Sequence, residues 1–232
     1  TASTIGSGPD VIARLLGTRL TELWGQQVVI DNRAGASGLI GAELVAKSAP
    51  DGHTLWMATM TQLISTTMYQ RYMMTKDFMP VGMVGSTPFV IAISSVLPVK
   101  NMAEFIAYAK ARPGQVMYGS GGQGSTPHLC MELFMSMSST RFTQVPYKGA
   151  APALNDLMGG QIQMMFGDFL ITLPQVKAGK IRALAVSTAK RSAAAPELPT
   201  IAEAGVPGYE TVAWFGFSAP ARTPKEVLNR IA

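Results

Sequence analysis

The residues best suited to chemistry in this sequence are glycines and hydroxyls placed just ahead of helical patterns. Gly119-Ser-Gly121-Gly-Gln-Gly124 matches G-x-G-x-x-G, follows a strand-like stretch and precedes a helix opened by Pro127. Such a turn lets backbone approach an anion closely, with Ser125 or Thr126 capping the helix and free N–H groups facing the ligand. A dinucleotide would also need an acid at the end of the next strand. That stretch reads Gln144-Val-Pro-Tyr-Lys148, and Glu132 falls inside the helix instead. The loop therefore reads as a general anion cradle, to which Ser120, Gln123, Gly124, Ser125 and Thr126 would contribute. Gly6-Ser7-Gly8-Pro9-Asp10 repeats the device, with Pro9 in the first helical turn and Ser7 or Gly8 at the cap. No Gly-Lys-Ser/Thr follows, which excludes a Walker loop. Gly35-Ala-Ser37-Gly38 opens a third helix and reads by itself as a tight turn.

Further polar residues fall beyond strand ends. Thr59, Thr61 and Gln62 lie in a Thr/Gln-rich loop after one strand, Tyr147-Lys148-Gly149 after another, and Asp168 after a third. Lys148 could pair with an anion. A carboxylate among Phe166, Phe169 and Leu170 needs partners or water, and one facing a carboxylate ligand would repel it. Asp168 is therefore expected to hold backbone N–H groups or an ordered water, or to read a ligand amine or hydroxyl. Nucleophile chemistry is poorly supported: no G-x-S-x-G elbow occurs, and Ser187 with Lys190 fits S-x-x-K without a K-T-G partner. His128 reads as a structural or ligand hydrogen bonder in a first helical turn, and Cys130 as a small buried apolar residue. One cysteine and two histidines (His53 and His128) supply neither a disulfide nor a zinc cage. These residues describe a binding protein without cofactor or metal, not an enzyme.

The elements that must position these residues alternate. The chain has 232 residues, enough for a sizeable core. Apolar residues make up 47% and charged residues only 14%, with 23 Gly and 15 Pro, so this is not a disordered polyelectrolyte. The net charge of +5 is spread singly, which suits small anions and argues against nucleic acid. Mean hydropathy is +0.21, and residues 78–99 form an uncharged run long enough to span a bilayer. Prolines and glycines break that run into two short buried strands, 81–84 and 89–93. No basic, apolar, small-residue leader is visible at Thr1, as expected of a mature chain or of one whose start is missing. Helical patterns cover residues 9–24, 38–47, 63–69, 102–111, 127–137, 151–158 and 170–178. Strand patterns cover 27–30, 54–58, 116–118, 143–145, 162–166, 181–188 and a stretch around 211–219. Asn101 is the expected cap of the 102–111 helix, and Thr223-Pro224 starts a last one. Strands separated by helices imply a parallel α/β sheet. A fresh βαβα block after Pro98 implies two lobes: residues 1–98 with 216–232 returning, and residues 99–215. In open α/β sheets ligands sit beyond the carboxyl ends of the strands, so a ligand cleft is expected between the lobes.

Several segments together resemble one family. Gly6-Ser-Gly-Pro-Asp10 with Arg14 resembles its first loop and helix. Asn32-Arg33-Ala34-Gly35-Ala-Ser-Gly38-Leu-Ile-Gly41-Ala resembles its N-R-P-G-A-x-G-x-I-G-A run, with Ala34 in place of proline. Ala49-Pro50-Asp51-Gly52-His53-Thr54-Leu55 resembles A-P-D-G-Y-T-L, and Ser120 to Gly124 followed by His128-Leu129 resembles S-x-G-x-G…H-L. Val145-Pro-Tyr-Lys148-Gly149 and the stretch from Pro199-Thr200 through Glu203 and Gly205 to Pro207-Gly208-Tyr209 complete the match, with Trp214-Phe-Gly216 and Thr223-Pro224 behind them. This is the pattern of the Bug family, extracytoplasmic substrate-binding receptors of tripartite tricarboxylate transporters. The resemblance implies a periplasmic, two-lobed Venus flytrap, periplasmic-binding-protein-like, that closes on a small carboxylate and delivers it to membrane transporter subunits as a monomer. It also implies that both ends are trimmed, since the family pattern has a strand before the first loop and continues past residue 232. A binding protein feeding a sensor is the alternative role, and a small hydrolase the alternative class.

Overall fold

The structure, a computed structural model, describes residues 1–232. Helix α1 (Gly8–Trp24) starts at the first glycine-rich loop and ends on Gly25, whose φ of 64° supplies the left-handed cap. A single 3₁₀ turn (Ala36–Gly38) leads into α2 (Leu39–Ala46). Then come β1 (Trp56–Thr59), α3 (Met60–Tyr69), the single turn α4 (Met74–Asp77) and β2 (Phe78–Thr87). The chain continues as β3 (Phe89–Ser94), α5 (Met102–Lys110), β4 (Met117–Ser120), α6 (Thr126–Ser138), β5 (Thr143–Pro146) and α7 (Ala150–Met158). It goes on as β6 (Met164–Asp168), α8 (Phe169–Lys177) and β7 (Ile181–Val186), and closes with β8 (Ala213–Pro220) and α9 (Lys225–Ile231). Asn101 caps α5 as expected, its side chain accepting the Glu104 N–H at 2.9 Å. No helix is long and apolar enough to cross a membrane; the uncharged run of residues 78–99 forms β2 and β3.

The chain divides into two compact units, Thr1–Ser86 with Trp214–Ala232, and Thr87–Ala213. The first holds a three-stranded sheet in the order β1-β8-β2, with β1 antiparallel to β8. Its core gathers Trp56, Tyr72 and Phe78, with Trp56 and Phe78 centroids 4.6 Å apart and Tyr72 edge-on to Phe78 at 5.6 Å. Leu39, Ala42 and Val45 of α2 pack on them. The second unit holds a five-stranded sheet in the order β5-β4-β6-β3-β7. One side is packed by α7 and α8 through Ala153, Leu154, Leu157, Phe169 and Leu173. Against the sheet also lies a ring cluster of Phe134 from α6, Phe166 from β6 and Tyr209.

Three expectations are corrected. The sheet of the second unit is not wholly parallel: β4 runs parallel to β5 and β6, but β3 is antiparallel to both β6 and β7. Strand β3 enters this sheet from β2, a strand of the other sheet, across the single proline Pro88, so no helical crossover from a strand of its own sheet constrains it to run parallel. For the same reason the first lobe does not reach residue 98. All six residues of β3 are buried in the second sheet, so the partition falls after Ser86, and the return falls at Trp214. Residues 27–30 form no strand. Their alternation is nevertheless real: Val28 and Ile30 lie on Gly17 of α1 while Val29 is exposed. The pattern reports one buried side, not a hydrogen-bonded neighbour.

Candidate functional site

In the second unit the strands β5, β4 and β6 are adjacent and parallel, so their carboxyl ends reach one edge together. Each is followed by a helix: α7 after β5, α6 after β4, α8 after β6. Three helix N-termini, each carrying about half a positive charge and unpaired N–H groups, are thereby brought to one edge. Ser120 ends β4 and is 2% exposed. Its Oγ accepts from Gln144 Nε2 at 2.7 Å and from the Gly122 N–H at 3.2 Å. With both lone pairs engaged, that hydroxyl is left to donate. The Ser120 carbonyl accepts the Tyr147 N–H at 2.9 Å, which ties the 120–126 loop to the Tyr147-Lys148-Gly149 loop. Tyr147 is anchored from behind by its hydroxyl donating to Asp156 Oδ2 at 2.6 Å. Burial, then the Asp156 carboxylate, push the phenol up to about 12. Lys148 is exposed, and Gly149 precedes α7 in extended backbone.

The α6 loop is built around two glycines. Ser125, at the cap position, donates both its N–H and its hydroxyl to the Gly122 carbonyl, at 3.2 and 2.8 Å. Gly124 has φ 73°, a conformation that favours glycine, and its N–H donates to His128 Nδ1 at 3.3 Å. Gln123 is exposed at the loop tip and Thr126 is the buried first residue of α6. Asp168 ends β6 half-buried, at the cap position of α8.

In the first unit, Ser7 is buried at the cap of α1 and Gly8 is the first helical residue. Ser7 folds back on Thr4, donating its hydroxyl to the Thr4 carbonyl at 2.7 Å and its N–H at 3.2 Å. Asp10, 1% exposed, accepts from the Gly6 N–H at 2.8 Å, Arg14 Nε at 3.1 Å and Asn32 Nδ2 at 2.9 Å. Burial raises this carboxyl, but the bonds from Arg14, Gly6 and Asn32 outweigh it, and the pKa lies below the ordinary aspartate value. The Thr/Gln-rich loop expected after β1 is absent: Thr59 ends the strand and caps α3 directly, so Thr61 and Gln62 fall in the first helical turn. Gln62 Oε1 accepts from both the N–H and the hydroxyl of Thr59, at 2.8 and 2.7 Å, in a capping box. Gly38, at φ 88°, lies against the Gln62 carboxamide, and a Cβ there would collide with its nitrogen. Thr61 lies in the first turn of α3.

Every residue expected to bind ligand thus sits at or beside a helix N-terminus, five in the first unit and nine in the second. The hydroxyls of Ser7 and Ser125 and the side-chain carbonyl of Gln62 hold their own loops in shape, whereas the Ser120 hydroxyl accepts two hydrogen bonds and keeps its proton to donate. Residue types alone did not single out most of the groups that position these loops: Asp10 and Asn32 in the first unit, Gln144 and Asp156 in the second; His128, read as a structural or ligand hydrogen bonder, does bond the loop through Gly124. An acid in the first turn behind a glycine-rich loop was the readable signal for Asp10. Gln144 gave none, because its partner lies 24 residues away on another strand.

Comparison with known proteins shows what the whole chain resembles. The profile of the tripartite tricarboxylate transporter family receptor, TctC, matches residues 12–232. Protein BugT of Bordetella pertussis is 36% identical over 227 residues, 96% of this chain and 70% of BugT. A UPF0065 protein of Pseudomonas sp. is 36% identical over 229 residues, 97% of this chain and 68% of that protein. Among solved structures, an R. palustris protein with adipate has a TM-score of 0.95 at 43% identity, covering 99% of this chain and 78% of its own. MatC from Rhodopseudomonas palustris with bound malate has a TM-score of 0.93 at 30% identity, covering 99% and 79%. The periplasmic binding protein BugD gives 0.95 at 32% identity, covering 99% and 78%.

Proposed function

This chain belongs to the tripartite tricarboxylate transporter receptor family, and from that membership we propose that it is a periplasmic solute-binding protein that captures a small carboxylate and delivers it to membrane transporter subunits. The observation that carries the ligand class is the edge of the second unit, where three helix N-termini gather with Ser120, whose hydroxyl accepts two bonds and keeps its proton to donate. A carboxylate needs N–H and O–H donors, and no covalent chemistry is required of the protein. Helix ends meet that need without a buried cation, and Lys148 adds a charge at the exposed side. Two relatives carry diacids, adipate and malate, which makes dicarboxylates the first class to test.

The proposed contacts are Ser7, Gly8, Thr59, Thr61 and Gln62 from the first unit. From the second they are Ser120, Gln123, Gly124, Ser125, Thr126, Tyr147, Lys148 and Gly149. Asp168 serves as a water-holding acid at the start of α8, since a carboxylate placed directly on a carboxylate ligand would oppose binding. The relatives are binding proteins, and the chemistry required here is recognition alone.

A thermal-shift screen of small carboxylates, with adipate and malate included, tests this reading. A ligand at a hundred times its Kd adds about 2.7 kcal/mol, a rise of roughly 5–10 °C in a protein of this size. Folded protein whose melting point no carboxylate raises, and which shows no heat of binding by calorimetry, overturns it.

A further inference from the structure

His128 is nearly buried, at 6% exposure, in the first turn of α6. It stands three residues after the cap, the position from which a side chain can reach back to the backbone ahead of the helix. It does so through Nδ1, which accepts the N–H of Gly124. That bond fixes the tautomer: the ring proton must sit on Nε2, which lies 3.5 Å from Glu132 Oε1. Gly124 is, with Gly122, one of the two positive-φ glycines of the anion loop, so the imidazole holds the loop at a point whose backbone favours glycine.

We propose that neutral His128 is the positioning residue that keeps the 120–126 loop in its carboxylate-binding form, so that protonating it releases the loop and weakens the ligand. This rests on the carboxylate reading above. A protonated ring carries N–H at both nitrogens, and its Nδ1–H would face the Gly124 N–H, donor against donor. The loop must then move, although the new positive charge by itself would attract an anion. The two effects have opposite signs, which makes the direction of the pH response decisive.

The titratable groups around His128 are few. Glu132 faces Nε2 from the same helix. Tyr118 of β4 lies beside Glu132 and stays neutral, its phenol raised by burial and by that acid. Asp168 ends β6, the strand against which α6 packs. Tyr209 and Glu210 lie on the segment that meets Cys130, through Tyr209 Oη donating to the Cys130 carbonyl. Burial lowers the imidazole pKa and the Glu132 charge only partly restores it, in keeping with a neutral ring at pH 7.

The test compares wild type with His128→Asn and His128→Ala, using adipate and malate by calorimetry from about pH 7.5 to about pH 5. Asn keeps an acceptor near the Nδ1 position but cannot titrate. Wild-type Kd is expected to rise by about tenfold per pH unit once below the imidazole pKa. His128→Asn should recover most of the affinity lost in His128→Ala and show no such rise. Protonation of the diacid itself is common to all three proteins and cancels. Nitrogen-15 spectra of the ligand-free wild type supply a readout independent of binding: the Gly124 amide should shift together with the His128 ring. A wild-type profile parallel to that of His128→Asn, tighter binding at low pH, or a Gly124 amide that ignores the ring each overturns the proposal while carboxylate binding stands. Absence of any binding to the wild type at pH 7.5 overturns both.

Discussion

Replacing Asp10 tests how the first unit shapes its loop. Three donors converge on this buried carboxylate, and two of them, the Gly6 N–H and the Asn32 amide, come from opposite sides of the loop. Hydrogen bonds to a charged acceptor contribute about 1.5–3 kcal/mol each. The Arg14 partner is half exposed, so solvent screening holds its share to about 0.5 kcal/mol. Asp10→Ala frees Gly6, which water can reach. It leaves Asn32 its bonds to Thr1 Oγ1 and the Ser3 carbonyl, at 2.8 and 3.2 Å. The net loss should therefore lie near the low end, about 2–3 kcal/mol. Tryptophan fluorescence reads this unit selectively, because Trp24, Trp56 and Trp214 all belong to it. In urea the midpoint should fall by about 1 M. The pH dependence has a defined sign. A carboxyl whose folded pKa is depressed stabilises above its unfolded value of about 3.9, and that stabilisation is lost as pH falls through the lower folded value. Asp10→Asn should accordingly flatten the acid limb of the stability curve. A midpoint change below about 0.3 M for Asp10→Ala, or an acid limb for Asp10→Asn as steep as wild type, would refute the reasoning.

Two further outcomes follow from the second unit. Ser120→Ala removes a charge-assisted donor worth roughly 1.5–3 kcal/mol and should weaken adipate by on the order of tenfold to a hundredfold in calorimetry; unchanged affinity removes Ser120 from the site. Asp168→Asn should affect an amino diacid and its amine-free analogue equally if Asp168 only holds water at the start of α8. A loss confined to the amino diacid, on the order of tenfold or more, would instead assign it to reading an amine.

Much of the site was readable because its signals are local. Gly8 and Pro9 at the start of α1, Pro127 behind Ser125, and Asn101 ahead of α5 each act within one helical turn of themselves. Their structural meaning survives any tertiary arrangement. Side-chain duties were less readable. Ser7 and Ser125 look like ligand donors by type, yet both donate to carbonyls three residues back. Gln62 looks exposed by composition, yet it is 4% exposed and bonded to Thr59. A hydroxyl or amide chooses between its own loop and a ligand by which acceptor lies nearer, and that distance is absent from the residue type.

The sequence by itself determined where the helices begin, where the glycine-rich loops fall, and that neither a G-x-S-x-G elbow nor a Walker loop occurs. It also determined the family, because motifs in order along the whole chain need no coordinates. Tertiary structure alone decided the direction and unit of β3, since an all-apolar strand is equally buried whichever way it runs. It alone decided that residues 27–30 lie on α1 without a paired strand. And it alone made the Ser120 hydroxyl a donor, because Gln144 and Gly122 must both be in place before its lone pairs are engaged. The physical reason is common to all three: periodicity and capping depend on neighbours a few residues away, whereas pairing and donor direction depend on groups that only folding brings together.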